Sequence, residues 1–74
     1  MGIINSKLGG VTMVDLQEEL GSLIQACEAA AQAHIAYARR AHTEIQRSFH
    51  ERRAAEALQT AHKYRQELRV SLEE

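Results

Sequence analysis

From Ser22 to Glu74 the sequence contains neither proline nor glycine. In a helix interior these residues cost about 3 and about 1 kcal/mol relative to alanine. A stretch of this length without either predicts a helix through most of the chain. Gly21 is the last glycine. It could separate two helices, since Ser22 and Gln25 have capping-box spacing, or it could be absorbed into one.

A stripe of mainly apolar residues recurs at steps of three and four, which places it along one side of an α-helix. Its members are Leu20, Ile24, Cys27, Ala31, Ile35, Ala38, His42, Ile45 and Phe49. Seven alanines between Ala26 and Ala38 favour helix and allow close approach of a second backbone. Counted from Leu16 to Phe49, nine such steps cover 33 residues, a mean of about 3.67. This mean is nearer an eleven-residue repeat than a heptad, so we expect no strong left-handed supercoil.

The stripe fails at His50–Arg53 and resumes at Ala54. Two all-α architectures fit. One is a continuous or gently bent helix over residues 12–72, about 90 Å long. The other is a helical hairpin bent near residues 47–53, with Ser48 and Glu51 capping its second arm. The phase of the stripe continues across the polar interruption, which favours the continuous helix. Either would assemble as a coiled coil or a helix bundle.

The helical assembly domain is expected over residues 12–74. Thr12 and Asp15 have capping-box-like spacing, and Val11 with Leu16 have the spacing of a hydrophobic staple. Residues 1–11 hold three of the four glycines, including Gly9–Gly10, and are expected to form a flexible or extended arm. The chain therefore divides into an arm and one helical domain.

Large core side chains are scarce, because the 74 residues include one Phe, two Tyr and no Trp. A chain this short buries a modest fraction of its surface, so a partner or oligomer is the expected source of stability. A helical rod without proline offers no obvious concave pocket, so we expect no enzyme activity and no small-molecule substrate. One cysteine excludes an internal disulfide and fits a reducing compartment.

Charge is uneven along the chain. Residues 15–28 hold four acids and no base, whereas residues 39–53 hold five arginines against Glu44 and Glu51. This pattern favours antiparallel or staggered pairing of copies. Alternatively, the charges only cover solvated faces. The arginines are candidate contacts for an anionic partner, although on one helix they share no single face: Arg39, Arg40, Arg47, Arg52 and Arg53.

No metal site or other cofactor is expected. His34, His42 and His50 are eight residues apart, which turns each about 80° from the last on a helix. The Glu-x-x-His motif of di-iron bundles does not occur. We expect His34 and His42 to lie beside the stripe, and His50 and His62 to face solvent. Cys27 is expected to act as a small buried hydrophobe.

The N-terminus, MGIINS, matches the pattern for N-myristoylation at Gly2. One acyl chain gives only marginal, reversible membrane binding. No segment is long and apolar enough for a transmembrane helix, and no secretory signal is present. We therefore expect an intracellular, cytoplasmic protein that becomes peripheral to a membrane only if Gly2 is acylated.

The sequence predicts a structural protein that self-associates, or docks on a larger protein, through its amphipathic helix. Alternatives are a membrane-associated adaptor anchored at Gly2 and a small helical nucleic-acid-binding protein. The predicted interface residues are Leu16, Leu20, Leu23, Ile24, Cys27, Ala31, Ile35, Ala38, Ile45, Phe49, Leu58, Ala61 and Leu68.

Overall fold

The structure, a computed structural model, describes residues 12–73. It contains two α-helices, α1 (Met13–Arg40) and α2 (Glu44–Glu73), packed against each other as a hairpin. At 1.5 Å per residue they are about 42 and about 45 Å long. The all-α class and the hairpin alternative are confirmed. The continuous helix, which the phase of the stripe favoured, is wrong.

Helix α1 begins as its local sequence predicts. Thr12 is the N-cap, and the Asp15 amide donates to its Oγ1 atom at 3.0 Å. The Asp15 carboxylate in the first turn complements the helix dipole. Gly21 lies inside α1 with open space around it, so it neither ends nor begins a helix. Val11, and with it the arm over residues 1–11, lies outside the described residues.

The chain reverses at residues 41–43, several residues before the predicted bend. Thr43 caps α2: its Oγ1 accepts the Gln46 amide at 3.1 Å, and its carbonyl accepts the Arg47 amide at 3.0 Å. The Gln46 side chain reaches back to accept the His42 amide at 3.1 Å. Thr43 and Gln46 thus form a variant of the capping box, which a search for that motif would have found. Ser48, the predicted cap, lies within α2.

A narrow hairpin core lies between the two helices. Its buried apolar residues are Leu20, Ile24, Ala31, Ala38, Ala54 and Ala61. Ala31 and Ala61 are completely covered, and their small side chains allow the two backbones to approach closely. Buried apolar area near the turn is small, because larger core side chains occur only toward the open end of the hairpin.

The core residues recur every seven positions, as Ile24, Ala31 and Ala38 in α1 and as Ala54 and Ala61 in α2. Seven-residue spacing is that of coiled-coil packing. The predicted eleven-residue repeat averaged over every member of the stripe, whereas Cys27 and Ile35 are only partly buried and lie at the sides of the core. Beyond Ala38 the stripe no longer follows the core, and Ile45 is 83% exposed.

Candidate functional site

An open groove runs along one side of the hairpin, between α1 and α2. Its volume is about 490 Å³. Helix α1 contributes mainly small and apolar side chains, namely Leu23, Ala26, Cys27, Ala30 and His34. Helix α2 contributes a more polar set, namely Phe49, Arg53, Glu56, Ala57, Thr60 and Tyr64. The groove is therefore an exposed, largely apolar surface with polar groups along one wall.

The groove and a hollow next to it follow heptad spacing on both helices. On α1 most of the lining residues alternate in steps of four and three, through Leu23, Cys27, Ala30, His34, Tyr37 and Ala41. On α2 the same alternation runs through Gln46, His50, Arg53, Ala57, Thr60 and Tyr64. The other lining residues, at the sides of these two rows, are Ala26, Arg40, Phe49 and Glu56. This spacing is typical of a helix face that meets another helix. Each helix thus has one such face in the hairpin core and a second one open.

Aromatic rings and imidazoles cluster at the turn end of the groove. The Nδ1 atoms of His34 and His50 are 3.0 Å apart, with ring centroids 5.2 Å apart. The Tyr37 ring lies 5.2 Å from His50, and the Phe49 ring meets His50 edge-on at 5.1 Å. The Arg53 guanidinium lies 5.6 Å from the Phe49 centroid, within cation–π range. Of these contacts, those of His34 and Tyr37 with His50 join α1 to α2 near the turn.

The pairing of His34 with His50 overturns the expectation that His50 faces solvent. On one continuous helix, sixteen residues would place the two rings about 160° apart. The reversal at residues 41–43 places them across the hairpin from each other instead. His42 and His62 are exposed, and His62 contacts Gln66 at 3.2 Å. The contact between His34 and His50 could have been predicted only if the position of the turn had been known.

Within residues 12–73, no group of three or more His, Cys, Asp or Glu side chains is placed to hold a metal ion. His34 and His50 form a pair, which has fewer side chains than such a group. Cys27 is a free, partly buried thiol in the groove wall. It is therefore less covered than a core residue such as Ala31.

The opposite side of the hairpin carries arginines between its apolar residues. One hollow there is lined by Ile35, Ala38, Arg39, Arg47 and Glu51. A second is lined by Ile24, Arg65, Leu68, Arg69 and Leu72. The long charged side chains break this surface into two separate hollows, in contrast to the longer groove.

The five candidate arginines are distributed around the hairpin. Arg39 and Arg47 line one hollow on the side opposite the groove, and Arg47 pairs with Glu44 at 2.6 Å. Arg40 lines the hollow next to the groove. Arg53 lines the groove and pairs with Glu56 at 3.1 Å, while Arg52 is exposed. The structure does not bring them together on one surface.

The hairpin has ends of opposite charge. The turn end contains residues 39–53, with five arginines and two glutamates. The open end contains residues 15–28, with four carboxylates and no cation. Across the open end, Arg65 of α2 forms an ion pair with Glu28 of α1. The described charges of α2 beyond residue 55 are balanced, three acidic and three basic.

The predicted interface residues fall into three groups. Buried within the hairpin are Leu20, Ile24, Ala31, Ala38 and Ala61. Partly buried are Leu16, Cys27, Ile35 and Leu68. Exposed are Leu23, Ile45, Phe49 and Leu58. The first group is buried within the hairpin, so a surface for a partner must use other residues. Of these, Leu23, Cys27 and Phe49 line the groove.

Among residues 12–73, neither helix combines the length and the apolar character needed to cross a bilayer. Gly2, the predicted myristoylation site, lies outside the described part of the chain. Comparison of the sequence with protein-family models and with curated proteins, and of the fold with solved structures, found no match.

Proposed function

We propose that this chain is a structural assembly protein whose hairpin pairs with a second copy through the groove, forming a four-helix bundle. The observation that carries this proposal is the heptad-spaced groove. A helix with two faces of this kind packs against two neighbours, as helices do in four-helix bundles. Within residues 12–73 of a single chain, each helix has one helical neighbour.

The composition of the groove supports a helical occupant. Ala26, Ala30 and Ala57 leave room for another backbone, while Leu23 and Phe49 expose apolar area. A second copy would cover this area with the same set of side chains. Two-fold symmetric pairing of identical surfaces is the commonest form of homo-oligomer.

Charge supports a second copy as the partner and sets its direction. Antiparallel pairing places the arginine-rich turn end of one hairpin beside the carboxylate-rich open end of the other. Parallel pairing would bring like charges together, which is unfavourable. The small hairpin core gives a further reason for association, because four of its six buried apolar residues are alanines that each bury little area.

The test is the solution mass of the chain by light scattering, with far-UV circular dichroism to measure helix content. We expect a dimer with high helix content. Ala26→Lys should produce a helical monomer, because a long charged side chain would have to be buried in the groove. Ala29→Lys is the matched control: Ala29 is also exposed in the hairpin but lines no part of the groove.

Two outcomes would contradict this proposal. One is a wild-type monomer at the highest concentration that can be measured. The other is a dimer that Ala26→Lys and Ala29→Lys weaken equally, since association would then use a different surface. A dimer that is lost selectively with Ala26→Lys supports the groove.

A nucleic-acid-binding role is the second candidate, and it rests on the excess of arginine at the turn end. Its test is oligonucleotide binding as a function of salt, with Arg39→Gln and Arg40→Gln as variants. A steep loss of affinity with rising salt, reduced in the variants, would support it. Absence of binding at low salt would exclude it.

A further inference from the structure

We propose that His34 and His50 form a binding site for one divalent transition-metal ion of the Ni²⁺ type. Both ligands lie within a single hairpin, so the site needs no ligand from a second copy, although His34 lines the groove used in the proposed pairing. It uses one ligand from α1 and one from α2. A bound ion would therefore link the two helices near the turn.

The separation of the two nitrogen atoms carries this inference. Metal–imidazole bonds are about 2.0–2.1 Å long. Two such ligands at neighbouring corners of a square-planar or octahedral ion are about 2.9 Å apart, and at two corners of a tetrahedron about 3.4 Å. The observed distance between His34 Nδ1 and His50 Nδ1 is 3.0 Å. It matches the square-planar or octahedral geometry, which Ni²⁺ adopts with nitrogen ligands.

The surroundings hold both rings in place. Each imidazole is partly buried and is carried by a helix rather than a loop, which favours a prearranged site. The Tyr37 and Phe49 rings pack against His50. His34 lines the groove and His50 lines the hollow next to it, so the space beside them is open to solvent. Water can therefore supply the remaining ligands.

In the metal-free chain the 3.0 Å contact is a hydrogen bond, in which one Nδ1 donates its proton and the other accepts it. Metal binding needs an unprotonated Nδ1 on both rings. The donor ring releases its Nδ1 proton to water and takes one from water at Nε2. The exchange changes the tautomer and leaves the number of bound protons unchanged for two neutral rings.

Neighbouring charges set the expected strength. Arg40 lines the same hollow as His50, and Arg53 lies beside Phe49. Both cations oppose a divalent ion, and no third protein ligand joins the pair among residues 12–73. We therefore expect weaker binding than in a site with three or four protein ligands.

The experiment titrates Ni²⁺ into the full chain without an affinity tag, using calorimetry and thermal unfolding. We expect one ion per chain and an increase in the unfolding temperature. His34→Gln and His50→Gln should each weaken binding by about a hundredfold, because the ion then loses one of its two protein ligands. His42→Gln and His62→Gln are matched controls, since both rings are exposed and outside the pair.

A result in which all four variants bind Ni²⁺ equally would overturn the proposal, as would wild-type binding no tighter than that of His34→Gln. If either variant fails to fold, the site is tested on the wild-type chain by NMR. Ni²⁺ with water as its remaining ligands is octahedral and paramagnetic, so it should then perturb the NMR signals of His34 and His50 before those of His42 and His62. The reverse order counts against the site. Binding of one ion per chain in the Ala26→Lys variant, which is expected to be monomeric, separates this site from dimer formation.

Discussion

The hairpin core and the groove are two faces of the same pair of helices, and they differ in what lies opposite them. Ala31 is completely covered in the core, whereas Ala30, the preceding residue in the sequence, lines the groove and is exposed. Both faces contain several alanines at heptad-related positions. In the core these alanines are buried, while in the groove Ala26 and Ala30 are exposed.

This difference indicates why a sequence pattern alone does not define a core. The spacing of small and apolar residues marks helix faces that can pack, but the hairpin has only two helices and can close only one face on each. The face that closes contains Leu20 and Ile24, the two large residues that are buried. The groove has arginine, glutamate and threonine in its α2 wall, which lower the gain from covering it within one chain.

The largest expected effect comes from replacing alanine by glutamate, once in the hairpin core and once in the groove. Ala31→Glu buries a carboxylate with no partner at a fully covered position, so it should destabilise the hairpin by about 3–5 kcal/mol and unfold it. Ala30→Glu should leave the stability of the single hairpin within about 0.5 kcal/mol. Urea unfolding followed by circular dichroism measures both. Equal stabilities for the two variants would contradict the assignment of the faces.

The next comparison is between Ile24 in the core and Ile45 near the turn. Ile24→Ala removes a side chain that is 8% exposed in the core and should cost about 2–3 kcal/mol in unfolding free energy. Ile45→Ala removes one that is 83% exposed and should cost less than about 0.5 kcal/mol. Denaturant midpoints of the two variants, measured at concentrations where the chain is monomeric, test this. A similar loss for both would instead favour the stripe predicted from sequence.

A smaller effect tests the position of the turn. Thr43→Ala removes the cap of α2 and should destabilise the hairpin by about 1 kcal/mol. Ser48→Ala is the control at the position where the sequence predicted a cap. Because Ser48 lies inside α2 and alanine favours helix, this variant should be neutral or slightly stabilising. Thermal unfolding distinguishes the two, and a reversed order would place the turn later in the chain.

The smallest expected effect is at the open end. Arg65→Gln removes the ion pair between Arg65 and Glu28. The Arg65 side chain is 49% exposed and the Glu28 side chain is 40% exposed. An exposed pair of this kind contributes about 0.2–1 kcal/mol, and salt reduces this contribution. The stability difference between wild type and variant should therefore shrink in high salt. A difference that is large and independent of salt would show that Arg65 acts through packing.

The sequence by itself determined the features that depend on neighbouring residues. The absence of proline, the helical spacing of apolar residues and the hydrogen bond between Thr12 and the Asp15 amide all act within one or two helical turns. These interactions are the same in a long rod and in a hairpin. Helical structure and the start of α1 could therefore be predicted locally, whereas local reasoning at Gly21 left both a helix break and inclusion in one helix open.

Only the tertiary structure decided where the chain reverses and which face is closed. Ending α1 at Arg40 breaks a helix whose residues could continue it, and the local capping by Thr43 and Gln46 offsets only part of that cost. The remaining compensation is the burial of residues far apart in sequence, such as Ala31 and Ala61. The groove and the contact of His34 with His50 follow from that reversal, and no local pattern contains them.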